Sequence, residues 1–469
     1  MAPQDYNQEV PGLEYFTPQH LQSPGTVATA DTSKPIPTLF KPLKIRGTTL
    51  RNRIIVAPMC QFSTASHGPA TGALTDYHIA TLGHYALKGA GLVFIEATGV
   101  QSNGRISPNC PGIWSDAQIP ALRRVSDFIK SQGALSGLQL AHAGRKGSTC
   151  ASWIAGTQRT QGGKRKVSVR ADTDVGGWPS NVVGPMGGEE WSWDGSKLSD
   201  ENGGYWAPRA LSEEEIAELV QDWAAAAERG FKAGVDVIEI HAAHGYLIHQ
   251  FLSPLTNQRT DKYGGSFENR VRVLLEIIQA IRKVIPDTMP LYLRISSTEW
   301  MEETEEGKKH GSWDVESSIR LAKLVPGLGV DLLDVSSGGN HPRQRLNPFD
   351  TKDYQTRIAS RIRQELKKDG LSMLIGAVGL ITEAEQAREI VEEGGAVAPR
   401  TADEGIDKEA EAAVGMTEPR NGAEPMADVV LVARQFMREP EWVLKVAWQL
   451  GIDVAWPNQF LRVRFPPKL

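Results

Sequence analysis

With 469 residues, 40% of them hydrophobic, the chain is long enough for one large α/β barrel that carries insertions. Its 51 basic and 56 acidic residues are well mixed and leave a net charge of −5, which argues against nucleic acid or an anionic membrane as the main partner. Three cysteines, Cys60, Cys110 and Cys150, with no CxxC pair, are too few for a disulfide framework or a cysteine-held cluster and fit a reducing, cytoplasmic setting.

Residues 1–36 are rich in Pro, Gln, Ser and Thr and have neither a basic start nor the apolar stretch of a signal peptide. They are expected to form a poorly ordered arm ahead of a single domain spanning 37–469. No run of about 18 apolar residues occurs, so no membrane span is expected. Three short, nearly continuous apolar runs follow: Arg53–Met59, Gly91–Thr98 and Ser136–His142. Such runs suit parallel strands buried on both faces. Behind the third lies an insertion, about 147–208, rich in Gly, Trp and Ser. It is expected to form an extra loop layer over the strand ends, with room for a hairpin.

The segment LSEEEIAELVQDWAAAAERGF reads as a helix with Ser212 as N-cap and Glu215 as its capping-box partner. Strand four is expected at Val235–Ala242, and a Ser266-capped helix follows a Gly-Gly turn. Strands five to seven are expected at Leu291–Ser296, Val330–Ser337 and Met373–Gly379. An acidic, Gly/Ala/Pro-rich insertion, about 392–426, is expected to be a mobile loop before strand eight at Asp428–Arg434. Eight strands alternating with helices predict a (β/α)8 TIM barrel. A doubly wound open sheet is the alternative, but it usually carries GxGxxG after its first strand, where this chain has PMCQFS.

Barrel chemistry belongs at the C-terminal strand ends. Those ends carry Cys60, Ala97, Gln139 with His142, His241 with His244, Arg294, Ser336, Gly379 and Arg434. Taken singly, Cys60 reads as inert core, Gln139 and Arg294 as paired polar residues inside the barrel, and each histidine as a satisfied core residue. Arising from separate strands, the set reads as a site. The His241–His244 spacing lacks a third metal ligand in a recognisable pattern, so no metal is assigned. Two imidazole N–H groups converging on one oxygen form an oxyanion-stabilising pair, with Tyr246 placed to supply a proton. His249 falls in an apolar-aromatic stretch and reads as packing. Gly379 and Arg434 lie where such barrels often bind phosphate, pointing to a phosphorylated organic cofactor.

Five segments in order, NRIIVAPMCQFS, QLAHAGRK, IEIHAAHGYLIHQFLSPLTNQRTDKYGGSFENR, LRISSTEW and AVGLIT, resemble the old yellow enzyme family of FMN-dependent ene-reductases, in particular its thermophilic-like subclass. The resemblance runs from Leu39 to about Arg462 outside the two insertions. It implies non-covalent FMN, with Ala57, Pro58, Met59 and Cys60 lining the flavin, Ala97, Gln139 and Arg294 at the ring, and Gly379, Ala433 and Arg434 at the phosphate. It further implies NADPH as hydride donor and an activated alkene as substrate: an α,β-unsaturated ketone, aldehyde, imide or nitroalkene. His241 and His244 would hold the substrate oxygen and Tyr246 would donate the proton. Cys60, with no partner cysteine, is expected to tune the flavin. Two departures stand out: Phe62 replaces the subclass tyrosine in the substrate pocket, and Ala433 replaces a glycine beside the phosphate arginine. Arg462, in QFLRV, resembles an arginine that reaches a neighbouring subunit's site, which implies a homodimer or higher homo-oligomer. Lys146 lies near the site. A flavin-free barrel lyase or aldolase with Lys146 as Schiff base, and a flavin-binding protein without turnover, are the readings from other classes.

Overall fold

The computed structural model describes residues 7–28, 35–157, 169–200, 204–345, 352–393 and 424–466. Eight parallel strands close into a barrel. They are β1 (Ile54–Val56), β2 (Leu92–Gly99), β3 (Leu135–Ala141), β4 (Val237–Ala242), β5 (Leu291–Ser296), β6 (Leu332–Ser336), β7 (Leu374–Val378) and β8 (Val429–Val432). Each pairs with the next, and β8 returns to β1 through Val430↔Ile54 and Val432↔Val56. All eight expected strands form. The period of two shows why their runs are nearly continuously apolar. Ile55, Leu92, Phe94, Val237, Tyr292 and Leu431 fill the barrel interior, while their neighbours Ile54, Val56, Val93 and Ile95 face the helices.

The barrel helices are α1 (Asp76–Leu87), α2 (Ile119–Ser131), α3 (Glu213–Lys232), α4 (Phe267–Val284), α5 (Val315–Leu324), α6 (Tyr354–Lys368), α7 (Ala384–Val391) and α8 (Trp442–Gln449). Helix α3 starts as its sequence requires: Ser212 Oγ accepts from Glu215 N at 3.2 Å, and Glu215 Oε2 accepts from Ser212 N at 2.9 Å. Ser266 likewise caps α4, accepting from Asn269 N. A hairpin, Leu43–Ile45 with Thr48–Leu50, covers the N-terminal barrel floor and buries Ile45 and Leu50 against the interior.

Two expectations change. Within residues 1–36, read as a poorly ordered arm, the stretch 23–28 packs against the floor: Gly25 N donates to Ala455 O, Ala28 N to Asp453 O, and Val27 bridges Val454. The layer after β3 contains a two-residue strand pair, Val183–Gly184 with Arg209–Ala210, but it is parallel rather than a hairpin. The expected mobile loop at 392–426 lies outside the described residues over 394–423.

Candidate active site

The C-terminal strand ends surround a cavity of about 430 Å³, within the usual range for cofactor and ligand pockets. Ala57, Pro58, His244, Arg294 and Ser336 line one part; Gln355, Gly379, Thr382, Ala433, Arg434 and Arg438 line another. Strand β1 stops just before Pro58, which has no N–H to offer the ladder. Gly379 adopts φ +110, and a Cβ there would meet Gln355 Nε2 at 2.5 Å. Only glycine lets the backbone approach this cradle. Ala433 has φ −109, so the alanine found there in place of glycine demands no left-handed backbone.

Below the cavity, Gln139 Nε2 donates to Glu239 Oε1 at 2.8 Å, and Arg294 Nε to Asp334 Oδ2 at 2.5 Å. Burial pushes both carboxyls above their ordinary values, and for Glu239 the Asp334 charge adds to the push. Arg294, whose own pKa is raised chiefly by Asp334 against its burial, opposes this at Asp334. At a separation of 2.5 Å we assign Arg294–Asp334 as the charged pair and Glu239 as the carboxyl that holds its proton. Gln139 and Arg294 are thus internal partners, and Arg294 also faces the cavity.

His241, at the end of β4, accepts the Ala243 N–H on Nδ1 at 3.2 Å, leaving Nε2 to carry the proton. His244 sits at φ +59, held by its N–H to Ser296 Oγ at 2.9 Å, with Nε2 2.7 Å from Ser336 Oγ. The two imidazoles stand edge to face, centroids 5.2 Å apart, and the Tyr246 ring is 4.9 Å from His241. Burial holds both histidines well below the usual imidazole range and keeps the Tyr246 phenol protonated. Lys146 closes the cluster. Its ammonium donates to His244 O at 2.8 Å and Gly339 O at 3.0 Å, and lies 4.8 and 5.1 Å from the Trp193 and Tyr246 ring centroids. His249, read as packing, is fully buried and accepts the Gly245 N–H.

Phe62 adopts φ +49 and meets Trp153 of the inserted layer edge-on at 5.5 Å. Phe62, His244, Trp300 and Leu380 are all non-glycine residues with positive φ. Backbone strain therefore concentrates around the mouth, as functional sites often show. Met59 packs on the core, Ala97 is nearly buried, and Cys60 is partly exposed. The loop after Cys60 is tied to that of Cys110 through Thr64, whose Oγ1 donates to Cys110 O at 3.0 Å. Arg462, in contrast, is exposed in the turn Asn458–Val463 and does not line this chain's cavity.

Sequence reading missed Glu96, Glu239, Asp334 and Gln355. The three acids had a signal, a charge inside an apolar strand run. Gln355, which donates to Val378 O and accepts from Ser337 Oγ, had none.

A closed parallel barrel with a cradle between β7 and β8 and a neutral His–His–Tyr cluster defines an enzyme built around a phosphorylated cofactor. The model of the NADH:flavin oxidoreductase / NADH oxidase family matches residues 38–398. An NADH:flavin oxidoreductase of Gibberella zeae is 39% identical over 450 residues, covering 96% of this chain and 93% of its own. An NADPH dehydrogenase of Listeria monocytogenes is 35% identical over 424 residues, covering 90% and 98%. The solved structure of morphinone reductase shares the fold, with a TM-score of 0.59 at 24% identity over 91% of this chain and 93% of that one. The chain belongs to this family, that of the old yellow enzymes, and is an FMN-dependent oxidoreductase with a nicotinamide hydride donor.

Proposed function

We propose that this flavin oxidoreductase is an ene-reductase, taking NADPH as donor and reducing the activated C=C bond of α,β-unsaturated ketones, aldehydes, imides or nitroalkenes. The observation that carries this is the juxtaposition of two neutral imidazoles with a protonated phenol at one strand end. Gly379, Ala433 and Arg434 fit the phosphate of FMN, and Ala57, Pro58, Met59, Cys60, Ala97, Gln139 and Arg294 its ring system. Bound there, FMN supplies hydride chemistry. His241 and His244 then hold the carbonyl or nitro oxygen by N–H donation. This polarises the alkene without placing a competing cation in the pocket. Phe62 contributes an apolar wall, and Tyr246 O–H donates a proton to the α-carbon. Lys146 already donates to two carbonyls, an arrangement that favours a positioning lysine over a Schiff-base nucleophile.

Tyr246→Phe tests the assignment. It keeps the ring against His241 and removes only the donor. A positioned general acid contributes about 10²–10⁴-fold, so reoxidation by a cyclic enone should slow by that order while reduction by NADPH stays near wild type. Rapid mixing separates the two half-reactions. Equal slowing of both, or of neither, would remove Tyr246 as the donor.

A further inference from the structure

Glu299 follows β5 in the segment LRISSTEW and does not line the cavity. Its side chain is fully buried, as are those of His249, Ser253 and Asn340 around it. Oε1 accepts from Ser253 Oγ at 2.9 Å and from Trp313 N at 2.7 Å. Oε2 accepts from Asn340 Nδ2 at 2.7 Å and lies 3.9 Å from His249 Nε2. His249 uses Nδ1 to accept the Gly245 N–H at 2.9 Å, so its own proton sits on Nε2 and faces the carboxyl. Burial, with Lys146 and Arg145 adding to it, lowers the His249 pKa to about 3, so the ring is neutral and the contact is not an ion pair. Asn340 closes the turn after β6, which lies directly on the turn that carries His244. A Cβ on Gly245 would meet Gly339 O at 2.3 Å, and one on Gly339 would meet His244 Cα at 2.7 Å. One buried carboxyl therefore reaches the His244–Gly245 turn by two routes, through His249 and through Asn340.

We propose that Glu299 is a positioning residue that fixes the left-handed His244–Gly245 turn, and with it the His244 imidazole, through His249 and Asn340. His244 sits at φ +59, a conformation that a side-chain-bearing residue keeps only where its surroundings over-determine it. Ser296 and Lys146 hold the N–H and the carbonyl of His244 itself. The Glu299 network holds what those bonds leave loose: the next N–H, at Gly245, and the facing turn at Gly338–Asn340. Packing alone does not account for a carboxyl here. Burial raises the Glu299 pKa to about 7 against the pull of Asn340, Trp313 and Ser253, so the fold bears a desolvation cost that a leucine of similar size would avoid. In return, a connected buried polar network selects one arrangement of the loops that meet in it. Arg145 extends the same network: its Nη2 donates to Asn340 O at 2.8 Å, beside the Lys146 that grips His244 O.

The positioning stands on these hydrogen bonds; its consequence for turnover rests on the reading that His244 holds the alkene oxygen. The test measures amide hydrogen exchange by mass spectrometry on FMN-loaded protein at pH 8, where the Glu299 carboxyl is mostly ionised. In Glu299→Leu, peptides covering 243–249 and 337–341 should exchange about 5- to 150-fold faster, as expected for a buried donor left unpaired. Strands β1 and β2, remote from the network in the barrel order, should keep wild-type exchange. Glu299→Gln should restore most of the protection, because its oxygen still accepts from Ser253 and Trp313 while Asn340 turns its unpartnered Oδ1 to the new amide. Asn340→Ala cuts one link alone and should loosen both turns, so it decides the matter if Glu299→Leu does not fold. Unchanged exchange over 243–249 in either folded variant, or an equal rise over the whole barrel, would overturn the proposal. Reoxidation of the reduced flavin by a cyclic enone is then followed in the same proteins. Glu299→Leu should slow it, and should add nothing further in a His244→Ala background. Additive slowing would overturn a role exerted through His244. Faster local exchange with wild-type reoxidation would uphold the positioning and count instead against His244 as the holder of the alkene oxygen.

Discussion

Lys146 illustrates how one side chain can serve several neighbours. Burial, then Arg145, lower its pKa to about 7, and its hydrogen bonds go to two backbone carbonyls rather than to a carboxylate. One of those carbonyls belongs to His244, whose left-handed backbone points its ring to the cluster. The ammonium also lies against the Tyr246 ring, where positive charge eases loss of the phenol proton. Since the folded pKa is depressed, the ammonium is populated below about pH 7 and gives way to the amine above it. Lys146→Met should therefore slow alkene reduction most at pH 6, by about tenfold or more for a lost charge-assisted contact. The gap from wild type should shrink by pH 8.5, because the wild type has by then lost the same charge. Stopped-flow pH profiles of the alkene half-reaction check this. A ratio constant across that range would mean that Lys146 acts through packing alone.

At the scale of elements, legibility followed locality. The strands were readable because most inward and outward residues are both apolar, which leaves runs such as Val429–Val432. Helix α3 was readable because Ser212 and Glu215 complete its cap within one turn. Ser212→Ala removes the acceptor for the Glu215 N–H, at an expected cost of about 0.5–2 kcal/mol. Urea unfolding should show a lower midpoint with unchanged slope; an unchanged midpoint would mean the cap is replaced by solvent. The layer after β3 was opaque because its order comes from distant partners. Arg170 donates to the carbonyls of Lys197, Asp200 and Tyr205, and the Trp206 indole to those of Ser148 and Ala171. Such contacts leave no periodicity to read. The site divides in the same way. Strand-end residues such as His241 and Arg294 could be placed once the barrel was recognised. The Lys146 cation–π stack arises only when separate loops meet.

For the whole molecule, the floor of the barrel explains why residues 23–28 are packed despite a disorder-prone composition. Their backbone joins the segment after α8, with Gly25 N to Ala455 O at 2.9 Å and Ala455 N to Thr26 O at 2.8 Å. Gly25 O also accepts from Asn52 Nδ2 at 3.1 Å, and Asn52 is fully buried at the entry to β1. Gly25 is at φ +78, and a Cβ there would lie 2.4 Å from Gly89 O, so this position admits no side chain. Removing residues 1–28 should leave the cavity lining intact, because none of it comes from the arm. It should expose Val454 and free one Asn52 donor in a place water reaches poorly. An unsatisfied buried donor costs about 1–3 kcal/mol, and the lost backbone pairs add to that. The truncated chain should thus bind FMN and turn over near wild type at low temperature, yet unfold at a lower urea concentration. Gly25→Ala in the full chain should reproduce part of that loss by forcing the same segment off Gly89. Equal midpoints for all three proteins would make the arm a passenger; loss of FMN at low temperature would mean that the floor also shapes the site.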